Sequence, residues 1–274
     1  MSNGIVLMTD FGIRDGAVAA MKGVIRSTWS GIPFIDDLSH GVEMGDVVEG
    51  AFLLGVNYSY YPLGTVFVAV VDPGVGTNRK AILVKTEGGY TFVGPNNGVL
   101  NEVIRREHEA GRRILSVVEL TNERFFHHPV SAVFHGRDIF ASVAAYAATM
   151  GTMEYFGPAL QVKDLLSDSI GVVQVLADTI LGKVIFQDDF GNCVVSVREQ
   201  DLEDLPAGDL RISLGERTAR FVRTFDDGEG GELLALFGGD FPPFMTLAVN
   251  MASAAERFRI KKGDTVTVKR SAAT

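Results

Sequence analysis

The sequence predicts an α/β fold in two parts: an N-terminal three-layer α/β domain over residues 1–166 and a smaller, C-terminal all-β barrel-like domain over residues 167–274. Strand and helix patterns alternate through the first half of the chain, which is typical of a sheet covered by helices on both faces. Beyond residue 166 the chain consists mainly of short apolar segments separated by turn sequences. A hydrophobic content of 46% over 274 residues supplies enough apolar side chains for a large core.

The N-terminal elements follow from hydrophobic periodicity. A first strand at 5–8 leads through a turn into a helix at 17–27, whose apolar residues fall on one face. A second strand at 33–35 ends in Asp36 and Asp37 and precedes a helix at 46–57. Further strands are predicted at 66–71, 80–84, 90–93 and 114–120, and further helices at 99–106 and 138–149. Asp138 is placed to serve as the N-cap of the last helix.

The C-terminal elements are shorter and are separated by turns rich in glycine and aspartate. They predict a small β-barrel or β-sandwich with one short helix at 253–258. The predicted strands lie at 172–176, 180–186, 193–197, 210–212, 233–237, 245–249 and 265–268.

Composition narrows the class of protein. A net charge of −9 argues against nucleic acid or an anionic membrane surface as the main partner, and a small-molecule substrate is expected instead. The single cysteine, Cys193, excludes an internal disulfide framework, and with five scattered histidines it argues against a thiolate zinc site. The N-terminal residues do not resemble a secretion signal, and the apolar runs are shorter than a membrane span, so a cytoplasmic location is expected.

Residues 66–84 hold the strongest local signal for a site. Two apolar runs are joined by a loop that carries Asp72, Gly74, Gly76 and Arg79. In open α/β sheets ligands bind beyond the carboxyl ends of the strands, which is where this loop would lie. The two glycines partly match a dinucleotide-binding pattern, but the third glycine is missing and a strand follows, so a Rossmann site is not expected.

Acidic residues end several predicted strands, and one histidine stands beside a glycine. Single aspartates commonly end strands and cap helices, but several together would suit a divalent metal or a ligand rich in hydroxyl and amino groups. His135, next to Gly136, is as well explained by a catalytic as by a structural role. The remaining histidines are interpreted as structural or exposed. The acids are Asp10, Asp36, Asp37, Asp72, Asp188 and Asp189, and the other histidines are His40, His108, His127 and His128.

Six motifs are specific when taken together and in this order: Thr9-Asp10-Phe11-Gly12 with Asp15, Met21-Lys22-Gly23-Val24-Ile25, Val70-Val71-Asp72-Pro73-Gly74-Val75-Gly76, Gly94-Pro95-Asn96-Asn97-Gly98, Phe134-His135-Gly136-Arg137-Asp138-Ile139-Phe140-Ala141 and Asp188-Asp189-Phe190-Gly191-Asn192. With them the chain resembles, over nearly its whole length, the S-adenosyl-L-methionine hydroxide adenosyltransferase family. That family is related to the bacterial fluorinase and chlorinase.

The resemblance implies hydrolysis of S-adenosyl-L-methionine to adenosine and L-methionine by attack of water at C5′. It places Asp72, Arg79 and His135 around the water, with no metal and no organic cofactor. Arginine is too basic to accept a proton, so it would orient and stabilise, and either Asp72 or His135 would be the proton acceptor.

The resemblance also implies the binding residues. Asp10 would hold the ribose hydroxyls, and Asp15 and Asp188 the methionine ammonium group. Around the adenine it places Phe190, Asn192 and the backbone near Met251. The family forms homotrimers with sites between subunits, so the same is expected here. The chain departs from the family pattern at Asn96 and at residues 241–243, which leaves the partner of the methionine carboxylate open.

Three alternatives remain at the level of sequence. The related halogenases resemble this chain but carry a tyrosine at position 72 and a serine at position 136, so Asp72 and Gly136 favour water over halide. A sensor that binds S-adenosyl-L-methionine or a nucleoside without turnover is a second alternative. A metal-dependent hydrolase is the third.

Overall fold

A computed structural model describes residues 3–165, 173–176, 178–205, 208–238 and 242–272. The chain divides into two compact units, Met1–Ser169 and Ile170–Thr274. The boundary expected between residues 166 and 167, like Phe241, lies outside the described residues. The two units have the predicted architectures, one α/β and one all-β, so the predicted fold class is confirmed.

The N-terminal unit is built on a six-stranded mixed sheet. Its strands are β1 (Ile5–Thr9), β2 (Ile35–Ser39), β3 (Val66–Val70), β4 (Ala81–Thr86), β5 (Thr91–Pro95) and β6 (Ile114–Glu119). In space their order is β2-β1-β3-β5-β4-β6, with β2, β1, β3 and β5 parallel and β4 antiparallel to both of its neighbours. The helices are α1 (Ala17–Thr28), α2 (Val47–Asn57), α3 (Asn101–Glu109) and α4 (Ser142–Ala147).

The central strands are apolar throughout because helices cover both faces of the sheet. Ile5 and Leu7 belong to one core cluster with the buried face of α1 and residues 139–148. On the other face, α2 approaches the sheet at Gly50, where an added Cβ would lie 2.9 Å from Val71 and 3.5 Å from Met8. The three-layer arrangement thus puts the carboxyl ends of β1 and β3 side by side.

Two predictions within this unit are wrong in detail. Asp36 and Asp37 lie inside β2 and do not follow it, because β2 is an edge strand on which both side chains are exposed. The predicted helix at 138–149 begins earlier, as a π-helical segment from Gly136 to Ala141 that continues into α4. Asp138 therefore lies inside the helical segment and is not its N-cap.

The C-terminal unit is a β-barrel that closes on itself. Its strands are β7 (Gln174–Leu176), β8 (Thr179–Gln187), β9 (Cys193–Arg198), β10 (Gly208–Leu214), β11 (Arg217–Phe221), β12 (Leu234–Leu236), β13 (Phe244–Ala248) and β14 (Thr265–Ala272). Seven strands form the ring β14-β10-β11-β12-β13-β9-β8, which is closed by pairing of β14 with β8, and β7 adds to β8. A short helix, α5 (Ala254–Phe258), is capped by the Ser253 hydroxyl.

β11 was not predicted from the sequence. Its residues Arg-Thr-Ala-Arg-Phe bury only Ala219, so they lack the apolar alternation that identified the other strands. No helix among the described residues is long and apolar enough to cross a membrane.

Candidate active site

An ion pair stands at the carboxyl end of β3. Asp72 follows the strand by two residues, and Arg79 lies two residues before β4. Arg79 Nε lies 3.0 and 2.9 Å from the two carboxylate oxygens of Asp72, and Nη2 lies 2.5 Å from Oδ2. The Asp72 and Arg79 side chains are only 4% and 10% exposed. The pairing fixes the carboxylate by the planar fork of the guanidinium group.

His135 joins this pair through one ring nitrogen. Arg79 Nη2 lies 2.7 Å from His135 Nδ1. A guanidinium group can only donate, so Nδ1 accepts the hydrogen bond and the ring proton lies on Nε2. Burial and the nearby Arg79 charge lower the pKa of His135 below its usual 6.5, against the opposite effects of Asp72 and Asp138. His135 is therefore neutral near pH 7.

A glycine brings the loop of Arg79 against the loop of His135. Gly76 has φ +76°, and an added Cβ would lie 2.8 Å from the backbone oxygen of Ala132. Glycine adopts this left-handed conformation without steric cost and leaves room for the close approach. Residues 72–79 and 131–135, far apart in sequence, are thereby held in contact.

Asp138 anchors the loop that carries His135. Its side chain is fully buried and accepts hydrogen bonds from Ser131 N at 2.8 Å and from Arg137 Nε at 2.6 Å. Burial alone would raise the pKa of Asp138, but these hydrogen bonds outweigh it and lower the pKa. The aspartate assigned from sequence to a helix cap instead ties both ends of the 131–138 loop together.

Asp10 contributes from the carboxyl end of the neighbouring strand β1. Asp10, Asp72 and His135 line one cavity of about 470 Å³, together with Phe11, Met44 and Val133. Asp10 Oδ2 accepts a hydrogen bond from Gly45 N at 2.8 Å. The described residues supply no hydrogen bond to Oδ1 of Asp10, which is free to accept one from a ligand. The structure thus brings together four of the residues singled out from sequence, Arg79 included.

Asp15 lies outside the residues that line this cavity. Its Oδ1 accepts a hydrogen bond from Ala17 N at 3.0 Å at the start of α1. This contact fixes the turn between β1 and α1. The role expected for Asp15 in binding an ammonium group stays a prediction.

The remaining expected binding residues belong to the C-terminal unit. Asp188 Oδ1 accepts hydrogen bonds from Phe190 N at 3.0 Å and Asn192 N at 2.8 Å, and Asn192 Nδ2 donates to Oδ2 at 2.8 Å. The turn after β8 is thus rigid and presents the ring of Phe190, which is 76% exposed. Met251 is 98% exposed and has φ +58°. Their roles in recognising adenine stay predictions.

One cluster of carboxylates could hold a metal ion. Glu43, Asp46 and Glu49 have oxygens within 4.8 Å of one another at the start of α2. Asp46 accepts the Glu49 amide as the helix cap, and Glu49 Oε1 accepts the Glu43 amide. These contacts account for the cluster as a helix N-terminus.

Two residues that support the site were not assigned a role from sequence. Asn97 donates from Nδ2 to the Val71 carbonyl at 2.8 Å, which fixes the chain immediately before Asp72. The ring of Phe140 lies 5.3 Å from the guanidinium carbon of Arg79 and supports it by a cation–π contact. Both residues belong to motifs that carry the family resemblance, Asn97 to Gly94–Gly98 and Phe140 to Phe134–Ala141, but neither was given a role.

The chain matches models of two protein domains. Residues 5–157 match the SAM hydroxide adenosyltransferase N-terminal domain, and residues 182–267 match the SAM hydroxide adenosyltransferase C-terminal domain.

Curated and structural relatives agree with these matches. The chain is 38% identical to an (R)-S-adenosyl-L-methionine hydrolase of Salinispora arenicola, over 96% of this chain and 97% of the relative. It is 28% identical to a fluorinase of an Actinoplanes species, over 96% of both chains. The crystal structure of an uncharacterized conserved protein from Thermotoga maritima superposes with a TM-score of 0.84, at 31% identity, and covers 97% of this chain and 100% of that one. The chain therefore belongs to the SAM hydroxide adenosyltransferase family.

Proposed function

We propose that this protein hydrolyses S-adenosyl-L-methionine to adenosine and L-methionine. The observation that carries the proposal is that Asp72 and His135, both hydrogen-bonded to Arg79, lie in the wall of a cavity that Asp10 also lines. The curated relative of Salinispora arenicola, named a hydrolase of this substrate, is similar over almost the whole chain.

The chemistry asks little of the protein beyond positioning and removal of a proton. A water oxygen forms a bond to C5′ while the C5′–S bond breaks. The electron pair of the C5′–S bond leaves with sulfur, which becomes the neutral thioether of methionine. The attacking oxygen becomes positively charged and loses a proton, so the positive charge of the substrate is released as H⁺. Alignment of water with the C–S bond supplies a large part of such a rate enhancement.

We assign the proton to Asp72. The Nδ1 lone pair of His135 is occupied by Arg79, and Nε2 already carries a proton. Oδ2 of Asp72 accepts two hydrogen bonds from Arg79, but Oδ1 accepts only the one from Nε and keeps a second lone pair. A carboxylate is a weak base, but it suffices for an oxygen that becomes strongly acidic as the C–O bond forms. Arg79 then holds Asp72 and His135 in place, and the Nε2 proton of His135 orients the water.

Hydrolysis without metal or organic cofactor forms part of the proposal. The proposed steps use water, Asp72, Arg79 and His135. We expect activity to survive dialysis against a strong chelator, and a loss that added divalent metal restores would favour a metal-dependent hydrolase.

We further propose that the active form is a homotrimer with sites between neighbouring subunits. Met44 and Val133 line the cavity of the N-terminal unit, yet both are largely exposed in the single chain. Phe190 and Met251 likewise present bare apolar side chains. Exposed apolar groups around a site are typical of surfaces that a partner covers. We also propose a cytoplasmic location, since a chain with one cysteine needs no oxidising compartment.

Incubation of the purified protein with S-adenosyl-L-methionine tests the function directly. We expect adenosine and methionine in equal amounts, with one oxygen from labelled water in the 5′-hydroxyl group of adenosine. A parallel series in chloride and fluoride tests the halogenase alternative, for which a halogenated adenosine would appear. Tight binding of substrate without product, unchanged by His135→Ala, would establish a sensor instead.

A further inference from the structure

His40 is a buried histidine next to the turn that carries Asp10. It is 7% exposed and follows the end of the edge strand β2. The register between β1 and β2 shifts at this point, because Leu7 pairs with Asp37 whereas Met8 pairs with Ser39. The shift places His40 beside Thr9, the last residue of β1. Such irregularities in a sheet redirect side chains, here inward from an exposed edge.

Both ring nitrogens of His40 meet polar groups. Nδ1 lies 2.9 Å from the Thr9 hydroxyl, which is itself completely buried. Nε2 lies 3.0 Å from Asp37 Oδ1, although the two atoms do not form a well-directed hydrogen bond. Asp37 Oδ2 in turn accepts a hydrogen bond from Lys22 Nζ at 2.6 Å. A proton on Nε2 faces the carboxylate, so Nδ1 accepts the Thr9 hydroxyl proton.

The Thr9 hydroxyl also holds the turn that follows β1. With its proton directed to His40, the oxygen accepts a hydrogen bond from Phe11 N at 3.2 Å. The backbone carbonyl of His40 accepts a second one from Gly12 N at 2.8 Å, where Gly12 has φ +67°. The backbone on the C-terminal side of Asp10 is therefore held at two successive amides by Thr9 and His40. Asp10 directly precedes these two amides, and both Asp10 and Phe11 line the cavity.

We propose that Thr9 and His40 are positioning residues that set the carboxylate of Asp10 for its ligand. The proposal rests on the proposed function for the identity of that ligand, a ribose with two neighbouring hydroxyl groups. Loss of the Thr9 hydroxyl would free the Phe11 amide and let the turn relax. Binding of the nucleoside would weaken, whereas the water held by Asp72, Arg79 and His135 would not be disturbed.

A purely structural role would give a different result, and Thr65 offers the matched comparison. Thr65 is a threonine with 1% exposure that precedes β3, at the end of the sheet opposite the cavity. Its hydroxyl donates to the Pro62 carbonyl at 2.7 Å. Thr65→Val therefore removes a buried hydroxyl hydrogen bond of the same kind without touching the turn of Asp10.

The experiment compares Thr9→Val, Thr9→Ser and Thr65→Val in the full-length protein. For Thr9→Val we expect KM for S-adenosyl-L-methionine and Kd for adenosine to rise about tenfold, the effect of one hydrogen bond, with kcat changed less than about threefold. Thr9→Ser, which keeps the hydroxyl, should restore both values. Thr65→Val should lower the melting temperature but leave KM and Kd unchanged.

Calorimetry with adenosine and with methionine separates this proposal from the proposed function. Weaker adenosine binding in Thr9→Val, with methionine binding unchanged, supports positioning even if the wild-type protein shows no turnover. Turnover by the wild type together with equal KM and Kd in Thr9→Val and Thr65→Val would overturn the positioning role. A wild-type protein that fails to bind adenosine would overturn it as well.

Discussion

The Asp72–Arg79 pair is almost fully buried, and a buried pair is costly to break on one side only. Removal of one charge leaves the other without compensation, which costs about 3 kcal/mol or more. In Asp72→Asn the amide keeps the shape of the carboxylate, but it cannot accept a proton. We expect kcat to fall by roughly 100-fold or more, the usual contribution of an acid–base residue, while KM changes little.

Kinetics of Asp72→Asn beside Glu119→Gln provide the check. Glu119 pairs with Lys80, the residue after Arg79, at 2.6 Å, but that pair is partly exposed. Glu119→Gln should therefore lose little stability and no activity. A loss of substrate binding in Asp72→Asn as large as its loss of kcat would mean that Asp72 is structural.

The neutral state of His135 makes a prediction about pH. Burial and Arg79 lower the pKa of His135 in the folded protein, so the ring gains a proton only below pH 6.5. Between 6.5 and the folded pKa the unfolded chain binds more protons, so this residue makes stability fall as pH falls. Once protonated, Nδ1 of His135 can no longer accept the hydrogen bond from Arg79. We expect kcat/KM to stay level from pH 8 to about 6.5 and to decrease below it.

A pH profile of the wild type beside His135→Gln tests this expectation. The glutamine can accept from Arg79 through its side-chain oxygen but does not titrate, so the acidic decrease should become shallower in the variant. A decrease that begins above pH 6.5 in the wild type would contradict a lowered pKa.

Sequence reasoning singled out residues that the structure brings together, because their signals are local. An acid at a strand end, an arginine at the far side of a glycine-bearing loop and a histidine beside a glycine are visible without a structure. The role proposed for His40 has no signal in the sequence, because it depends on a register shift between two strands. Asp138 was assigned to a cap because its true partner, the Ser131 amide, is reached only when the loop folds back.

At the scale of the element, the loop between β3 and β4 depends on Gly76. In Gly76→Ala the new Cβ would lie 2.8 Å from the Ala132 oxygen, in addition to the cost of a left-handed conformation. Relief of this contact moves Arg79 away from His135. We expect the variant to lose about 1–2 kcal/mol of stability from its backbone conformation and to lose most of its kcat.

Gly111→Ala is the matched control for Gly76→Ala. Gly111 has φ +70° and an added Cβ would meet nothing within 4 Å, at a turn after α3. In both variants an alanine has to adopt the left-handed conformation. Denaturant unfolding should therefore show a comparable loss of unfolding free energy from this cause. Only Gly76→Ala should lose activity, and an equal loss of kcat in both would contradict the close approach to Ala132 as the cause.

Element prediction succeeded where hydrophobic periodicity is strong. The apolar runs of β1 and β3 and the amphipathic face of α1 gave their positions to within a residue or two. β11 escaped because three of its five side chains are exposed and two are arginines. The π-helical turns at 136–141 were not predicted, because a change in helical hydrogen bonding does not alter the apolar pattern of the sequence.

At the scale of the whole molecule, the two units are recognisable from the change in pattern, but barrel closure is not. Pairing of β14 with β8 joins residues 82 to 90 positions apart, from Thr265–Lys183 to Lys269–Thr179, which no local pattern encodes. The sequence therefore predicts a barrel-like C-terminal unit from its short strands and turns but does not exclude a sandwich. The same reasoning applies to the proposed subunit association, which would depend on surfaces such as those of Met44 and Phe190.

A homotrimer with sites between subunits predicts that two inactive variants complement each other. Asp72→Asn damages a residue of the N-terminal unit, and Asn192→Ala one of the C-terminal unit, so each protein alone should be nearly inactive. The two variants are co-expressed and assemble at random. A site is then intact only if its N-terminal unit comes from an Asn192→Ala subunit and its C-terminal unit comes from an Asp72→Asn subunit. Half of the subunits satisfy each condition, so about a quarter of wild-type activity should return.

Light scattering on the same samples gives the mass of the assembly, and mixing of the proteins after purification gives the control. Preformed trimers that do not exchange subunits should stay inactive, so recovery should depend on co-expression or on mild unfolding and refolding of the mixture. A monomeric wild-type protein with full activity would contradict the trimer. Trimers that show no complementation would instead place each complete site within one chain, since neither variant could then supply what the other lacks.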